Sequence, residues 1–241
     1  MKRIISIVIS LILVMGSFSF AYASDSTPTI AGEEALQEDL SSLGVLVKST
    51  DTYDEYVLTD EKQIAKELVK DKVAAPKGKT IKKIITRIPK NVSPGSQNTD
   101  LVQDITPQGT GWLGYYIESI TDRGDYWYFE NQVLHTNSGG PGGTVSMTVN
   151  EEVSATVSCS VGVDAEVISS EVGFDVTETY GIEDSYEKEL EDDQYGTIKA
   201  WTYYHRVDFD VWNNYLIGDD TYETTGSAYR PNGVRFRFYE M

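Results

Sequence analysis

The chain has 241 residues and a formal net charge of −18, because its 38 Asp and Glu residues outnumber its 20 Lys and Arg residues. This charge disfavours nucleic-acid binding, which depends on phosphate neutralisation by Lys and Arg, and it disfavours unassisted adsorption to an anionic lipid surface. With one Cys and two His, the chain cannot build an internal disulfide or a metal cluster rich in His and Cys.

Residues 1–23 are predicted to be a signal peptide. Lys2 and Arg3 precede the apolar run Ile4–Val14, and Ala21–Ala23 is a small-x-small cleavage site. No later apolar run approaches the roughly 18 residues that a membrane-spanning helix needs. We therefore expect a secreted protein that is cleaved after Ala23.

Residues 24–90 are predicted to form a small α/β unit. A short strand is expected at Tyr53–Leu58, and Thr59 or Asp60 can then cap the N-terminus of a helix. A second strand is expected at Thr80–Ile88, because apolar residues recur there until a proline stops them. The polar residues 91–104, which include a Pro-Gly pair, have the composition of a linker.

The remaining residues, 105–241, are predicted to be an antiparallel β domain. They are rich in Tyr, Trp and Gly, and they hold 24 of the acidic residues against 7 basic ones. Strands are expected at Trp112–Ile120, Tyr126–Leu134, Thr197–Tyr204, Val207–Trp212 and Val234–Tyr239. The predicted fold class is therefore mainly β, an elongated antiparallel sheet with a long amphipathic hairpin, preceded by the small α/β unit.

The clearest pattern in the β domain is the segment Val145–Ala165, which alternates apolar and polar residues for twenty-one positions. Ordinary strands run about 5–6 residues, so this alternation predicts an unusually long strand. Its apolar side has one lapse, Glu151, and its polar side consists mostly of Ser and Thr. Such a face suits either a long strand of an elongated β protein or a strand stored for insertion into a membrane.

After Ala165 the parity of the pattern changes, because the apolar residues now occupy even positions. A parity change indicates a turn, a bulge or one short helical turn, which we place near Glu166–Glu171. We therefore predict that Ser154–Asp164 and Val172–Tyr180 are the two arms of a hairpin.

The sequence contains no nucleophile elbow, P-loop or dinucleotide fingerprint. Cys159 lies in the apolar register, where a packed thiol is more typical than a nucleophile. The acidic segment Glu183–Asp193 is typical of a solvated surface. Its carboxylates could bind Ca²⁺ weakly, but their spacing is not that of an EF-hand and does not support a calcium site. The abundance of carboxylates leaves a glycosidase-type pair open as a third possibility. We predict a protein that is not an enzyme and that has no catalytic residue, cofactor or metal site.

From residue 144 to residue 212 the pattern resembles the pore-forming module of aerolysin-type toxins, in which long strands rich in Ser and Thr flank an amphipathic hairpin. The resemblance implies an incoming strand, the hairpin, a returning strand and a continuing strand at Thr144–Glu152, Ser154–Val176, Thr177–Leu190 and Thr197–Val211. The segment Gly226–Phe236 is also similar to a recurring ending of small uncharacterised secreted proteins of Gram-positive bacteria, which implies secretion.

Two functional hypotheses follow from these features. The first is a membrane pore former that acts as a homo-oligomer, and its insertion face would consist of Val157, Cys159, Val161, Val163, Val172, Phe174 and Val176. Glu178 would fall on the lipid side of this hairpin and favours the opposing interpretation, in which the hairpin simply packs. The second hypothesis is a secreted β-sandwich module that binds carbohydrate, such as a cell-surface glycan, or the cell surface itself through exposed rings of Trp112, Trp127 and Trp201.

Overall fold

The computed structural model describes residues 34–90, 114–215 and 217–241. The predicted signal peptide, the predicted linker 91–104 and the candidate residue Trp112 lie outside these ranges. The described part is mainly β, with a large antiparallel sheet of long strands, and this confirms the mainly β, antiparallel part of the predicted fold class. No helix in the described ranges is long and apolar enough to cross a membrane.

The described ranges contain eleven strands, two α-helices and a short 3-10 helix at Leu40–Leu43. The helices are α1 (Glu61–Lys70) and α2 (Ala165–Val172). The strands of the first half are β1 (Leu36–Gln37), β2 (Val45–Ser49), β3 (Tyr53–Leu58), β4 (Lys83–Pro89), β5 (Gly114–Tyr128) and β6 (Val133–Gly139). Those of the second half are β7 (Thr144–Ser154), β8 (Thr156–Ser158), β9 (Thr179–Glu189), β10 (Gly196–Asn214) and β11 (Thr221–Glu240).

Strands β10 and β11, of 19 and 20 residues, form the spine of a nine-stranded antiparallel sheet. The order across the sheet is β1-β5-β10-β11-β4-β3-β2, with β6 also pairing with β10 and β8 with β11. The strands predicted at Thr197–Tyr204 and Val207–Trp212 are therefore one strand. A register shift between Tyr203 and Tyr204 absorbs the irregularity without breaking the ladder.

Strand β5 corrects a second predicted boundary, because it continues through residues 121–125, where a break was expected. Its irregularities are positive φ angles at Ser119, Gly124 and Tyr126, and its pairing with β10 shifts register nearby. Backbone of this kind produces bulges within a strand, so the residues that suggested a turn bend β5 instead of ending it.

The N-terminal strands belong to the same sheet, and helix α1 packs on one of its faces. Strand β3 has the predicted bounds, and the side chain of Asp60 accepts a hydrogen bond from the Gln63 amide to cap α1, as predicted. Strand β4 pairs with β3 on one side and with β11 on the other. Ile64 of α1 packs with the buried rings of Trp201 and Tyr239, so the helix covers one face of the spine.

A buried network of charges holds α1 to this face. Arg237 donates from Nη1 to Glu67 Oε2 and Asp71 Oδ2, each at 2.6 Å, and from Nη2 to Glu38 Oε1 at 3.1 Å. Arg235 pairs with Glu38 and, at 3.3 Å, with Asp71. Burial alone would raise the pKa of Glu38 and of Asp71, but the two guanidinium groups outweigh it and lower both pKa values. All of these side chains are buried, so each charge depends on its partners.

We expect Arg237→Met to lower the free energy of unfolding by about 3–5 kcal/mol, because it takes the guanidinium partner from buried Glu67 and removes one of the two guanidinium groups that pair with Glu38 and Asp71. Lys83→Met is the matched control. Its ammonium group lies 2.7 Å from Glu240 but is partly exposed, so its loss should cost at most about 1 kcal/mol. Urea unfolding followed by tryptophan fluorescence measures both, and equal losses would contradict the assigned role of the network.

Candidate functional site

Strands β7 and β9 form a separate two-stranded sheet that covers the other face of the spine. Each strand is eleven residues long, and they pair without a register shift from Thr144 opposite Glu189 to Ser154 opposite Thr179. One side of this ladder packs on the spine, where the ring of Tyr186 stacks on that of Phe236. The opposite side carries the Ser, Thr and Glu residues that the alternation predicted to be polar.

Residues 155–178, which we call the tongue, connect the last residue of β7 to the first residue of β9. Strand β8 lies in the tongue and pairs with residues 227–229 of β11. Helix α2 follows, capped by the side chain of Asp164 and ended by Gly173 in the left-handed region with φ +82°. The tongue therefore begins as a strand on the spine and returns through a short helix.

This arrangement corrects the predicted hairpin. The segments Ser154–Asp164 and Val172–Tyr180 do not pair with each other along their lengths, and the long strand predicted from Val145 to Ala165 ends as β7 at Ser154. The physical reason is that the backbone of β8 bonds to β11 while the apolar side chains find partners on the spine. Of the turn, bulge or short helical turn predicted near Glu166–Glu171, the structure has the helical alternative, α2.

The structure brings all seven residues of the predicted insertion face into one apolar cluster. Four of them, Val157, Val172, Phe174 and Val176, are buried, and Cys159, Val161 and Val163 are partly buried against the same cluster. The spine contributes Ile117, Val207, Phe209, Val211 and Ala228 to it. In this structure the predicted insertion face is thus in contact with the spine.

Close approach of the tongue to β11 depends on Gly226. A Cβ at this position would lie 2.4 Å from the ring of Phe209 and 3.3 Å from Cys159 Sγ. Because Gly226 has no side chain, the Phe209 ring of the spine and the Cys159 thiol of the tongue can both lie close to its backbone. Cys159 is accordingly half-buried, in a position that fits a packed thiol.

The tongue and the spine are also joined by polar contacts at the outer edge. Ser160 Oγ donates to Thr224 Oγ1 at 3.0 Å, beyond the three residue pairs of β8. Within the tongue, the Val176 amide donates to Ser169 Oγ at 3.0 Å. At the base, the Ala155 amide donates to the Glu178 carbonyl at 2.9 Å, and this bond adds one step to the β7–β9 ladder.

Of the candidate tryptophans, the described ranges contain Trp127 and Trp201, and neither is fully exposed. Trp201 is fully buried beneath the N-terminal residues, with Nε1 donating to the Glu130 carbonyl at 3.1 Å, so the exposed position predicted for it is wrong. Its strand alternation could not show that α1 covers this face. Trp127 is half-buried, and the guanidinium of Arg206 lies 4.3 Å from its ring centre.

Sequence reasoning missed two contacts between a histidine ring and a carboxylate. Glu151, the lapse in the apolar side of β7, has Oε1 2.9 Å from His135 Nε2 of β6. His205 Nδ1 lies 2.9 Å from Asp125 Oδ1. Within the described ranges, no group of three or more His, Cys, Asp or Glu side chains is placed to hold a metal ion. A single acid in an apolar register was the one sequence signal for the first contact.

No protein-family model matches this chain, and no curated protein matches it. Among solved structures, the chain is similar to a candidate pore-forming toxin from Bacteroides vulgatus, with 11% sequence identity and a TM-score of 0.21. The match covers 54% of this chain and 55% of that one. An inference about function therefore has to come from the geometry of this chain.

We expect Gly173→Ala to loosen the docked tongue, because a Cβ strains the left-handed backbone there by about 1 kcal/mol although no neighbour lies within 4 Å. Local opening should rise about fivefold and appear as faster amide hydrogen exchange in residues 156–176. Gly162→Ala is the control within the same tongue, because that glycine also has free space but no positive φ. Equal exchange in the two variants would show that the glycine conformation does not control the tongue.

Proposed function

We propose that this chain is a secreted, non-enzymatic pore former whose tongue leaves the spine and enters a membrane as a β-hairpin. The observation that carries the proposal is the unbroken register of β7 and β9, which flank the tongue on both sides. The N-terminal pattern of residues 1–23 supports secretion, and the lack of a catalytic motif in the sequence supports a non-enzymatic role.

Continuing the β7–β9 register through the tongue generates an amphipathic hairpin. The Ala155–Glu178 bond is already its first step. The next apolar pairs would be Val157 opposite Val176, Cys159 opposite Phe174 and Val161 opposite Val172, because each pair keeps the spacing of the existing ladder. All seven residues of the predicted insertion face then lie on one side, although the docked tongue is not a hairpin.

The length of this hairpin suits a membrane. A turn at Glu166–Val167 leaves two arms of eleven residues, 155–165 and 168–178, and a spanning strand needs about 9–11. Glu178 would lie opposite Ala155 in the outermost pair, at the membrane surface. Charged side chains cost only about 0–1 kcal/mol near the interface, so this carboxylate no longer opposes insertion.

Apolar contacts with the spine would keep the tongue docked as long as the protein is in water. Release would expose the buried apolar side chains of the tongue, at roughly 1.5–3 kcal/mol for each one fully buried, together with the spine face beneath them. Lipid supplies an alternative apolar surface for the tongue. Edge backbone groups cannot stay unpaired in lipid, so hairpins of several copies would pair side by side, which supports a homo-oligomer.

A reversible disulfide tests the proposal. Ser160→Cys with Thr224→Cys replaces two hydroxyls that are 3.0 Å apart, in a Cys159→Ala background that prevents mispairing. Oxidised protein should release no dye from vesicles or cells, because the tongue is tied to β11. A thiol reductant should restore release.

Two other hydroxyl pairs provide matched disulfide controls. Ser138 and Thr197 join β6 to β10 at 2.9 Å, away from the tongue, and Ser154 and Thr179 face each other at 3.2 Å at its base. Both oxidised controls should keep activity, because the first leaves the tongue free and the second preserves the register. Dye release by the oxidised Ser160–Thr224 lock, or no release by wild-type protein from any vesicle or cell, would refute pore formation by the tongue.

We expect the pore to be cation-selective. Asp164, Glu171 and Asp175 would all project from the polar side of the hairpin, which carries no Lys or Arg. In planar bilayers, the K⁺ to Cl⁻ permeability ratio should exceed one, and Asp175→Lys should lower it. Asp193→Lys makes the same charge change in the turn between β9 and β10, away from the tongue, and should leave the ratio unchanged. An anion-selective wild-type pore would contradict this register.

A further inference from the structure

An exposed aromatic surface lies at the end of the spine where β10 leads into β11, and we call it the aromatic end. It is built from the start of β5, the end of β10, the described residues of the following loop and the start of β11. Its residues are the exposed Tyr115, Tyr215, Ile217 and Tyr222 and the half-buried Tyr116 and Trp212. The insertion face and the candidate tryptophans of the sequence analysis include none of these side chains.

Strand register places three of these rings in a row. Trp212 pairs with Tyr116 on one side and with Tyr222 on the other, and the Trp212 and Tyr222 ring centres are 5.7 Å apart. Among the described residues, Trp212 Nε1 is a buried donor with no hydrogen-bond partner. Ile217 lies between β10 and β11 and is 91% exposed, so this end of the spine also presents an aliphatic side chain to solvent.

The charge around the aromatic end is entirely negative. Residues 113–122 and 207–229 contain no Lys or Arg. Asp220 accepts a hydrogen bond from Tyr116 Oη at 2.8 Å, and this bond raises the pKa of the Tyr116 hydroxyl to about 12. Exposed Tyr and Trp rings beside carboxylates attract quaternary ammonium groups through cation–π and Coulomb interactions. The same carboxylates repel anionic headgroups.

The tongue extends along β11 toward this surface. Ser158 lies opposite Ser227, and Ser160 bonds to Thr224, two residues from Tyr222. Amphipathic Tyr and Trp rings partition to membrane interfaces, where an exposed Ile can enter the acyl boundary. A membrane held at the aromatic end would therefore lie at the end of the molecule that the tongue approaches.

We infer that the aromatic end is a docking surface for zwitterionic membranes, with its rings and carboxylates receiving the quaternary ammonium of choline headgroups. A sugar could also stack on Tyr rings, but it would use neither the exposed Ile217 nor the wholly acidic surroundings. The benefit of docking for pore formation rests on the function proposed above, whereas the binding itself does not.

Vesicle flotation of the oxidised Ser160–Thr224 lock tests docking without insertion. The locked protein should float with phosphatidylcholine vesicles and bind phosphatidylglycerol vesicles about tenfold less well. Ile217→Glu and Tyr215→Ser should each weaken phosphatidylcholine binding about tenfold. Val69→Glu is the matched control, because Val69 is a 78% exposed aliphatic on α1, and its binding should equal that of the parent.

The other possible results distinguish the docking surface from a lectin surface and from the proposed pore. Failure to bind phosphatidylcholine, or equal weakening by Ile217→Glu and Val69→Glu, would overturn the docking surface. Binding that requires a glycan on the vesicle and is competed by free sugar would overturn it in favour of a lectin surface. Flotation as expected, together with no dye release by unlocked protein, would support docking while refuting the proposed pore.

Discussion

The apolar face of the tongue has to be covered, and the long spine of β10 and β11 is what covers it. Along one face of this spine, Ile198 and Ala200 contact the β7–β9 ladder, and Val207, Phe209 and Val211 contact the tongue. The two covering layers are consecutive parts of one chain. A 19-residue strand is thus long enough to support both covering layers.

The two faces of the spine are held by interactions of different physical character. On the face of α1, Arg235 and Arg237 are fixed by directional bonds to buried carboxylates, and separating them would strand charges in a dry interior. On the other face, the tongue is held chiefly by apolar contacts, which are not directional and can be replaced by lipid at little cost. The same molecule therefore combines a part that is expensive to open in any medium with a part whose cost of opening depends on the medium.

Local signals in the sequence were sufficient for some elements and insufficient for others. Strand β3 and the cap of α1 follow from neighbouring residues, and both were predicted correctly. A period of two predicted extended structure from Val145 onward, but it cannot specify the partner strand, so the departure of β8 to β11 was not foreseen. The predicted insertion face nevertheless forms one cluster, because the same apolar side chains are needed whichever surface covers them.

The alternation of apolar and polar residues could not predict that the face of the spine toward α1 is buried. Arg235 and Arg237 alternate with apolar residues, as polar side chains on a solvated face do, yet both are buried. Their partners are Glu38, which follows β1, and Glu67 and Asp71 of α1 and its C-terminal end. All three carboxylates are far from the two arginines in sequence. Trp201 was misplaced for the same reason, since it lies under the same cover.

The distribution of charge sets the remaining constraint on assembly. Residues 105–241 carry most of the negative charge, so copies in solution repel each other. Physiological salt screens this repulsion between charges that are more than about 8 Å apart. A membrane surface that concentrates the protein and orients it through one end would offset that repulsion and bring the edges of neighbouring tongues together. An acidic surface is therefore consistent with the proposed assembly on a membrane, because the charge would keep copies apart until the membrane aligned them.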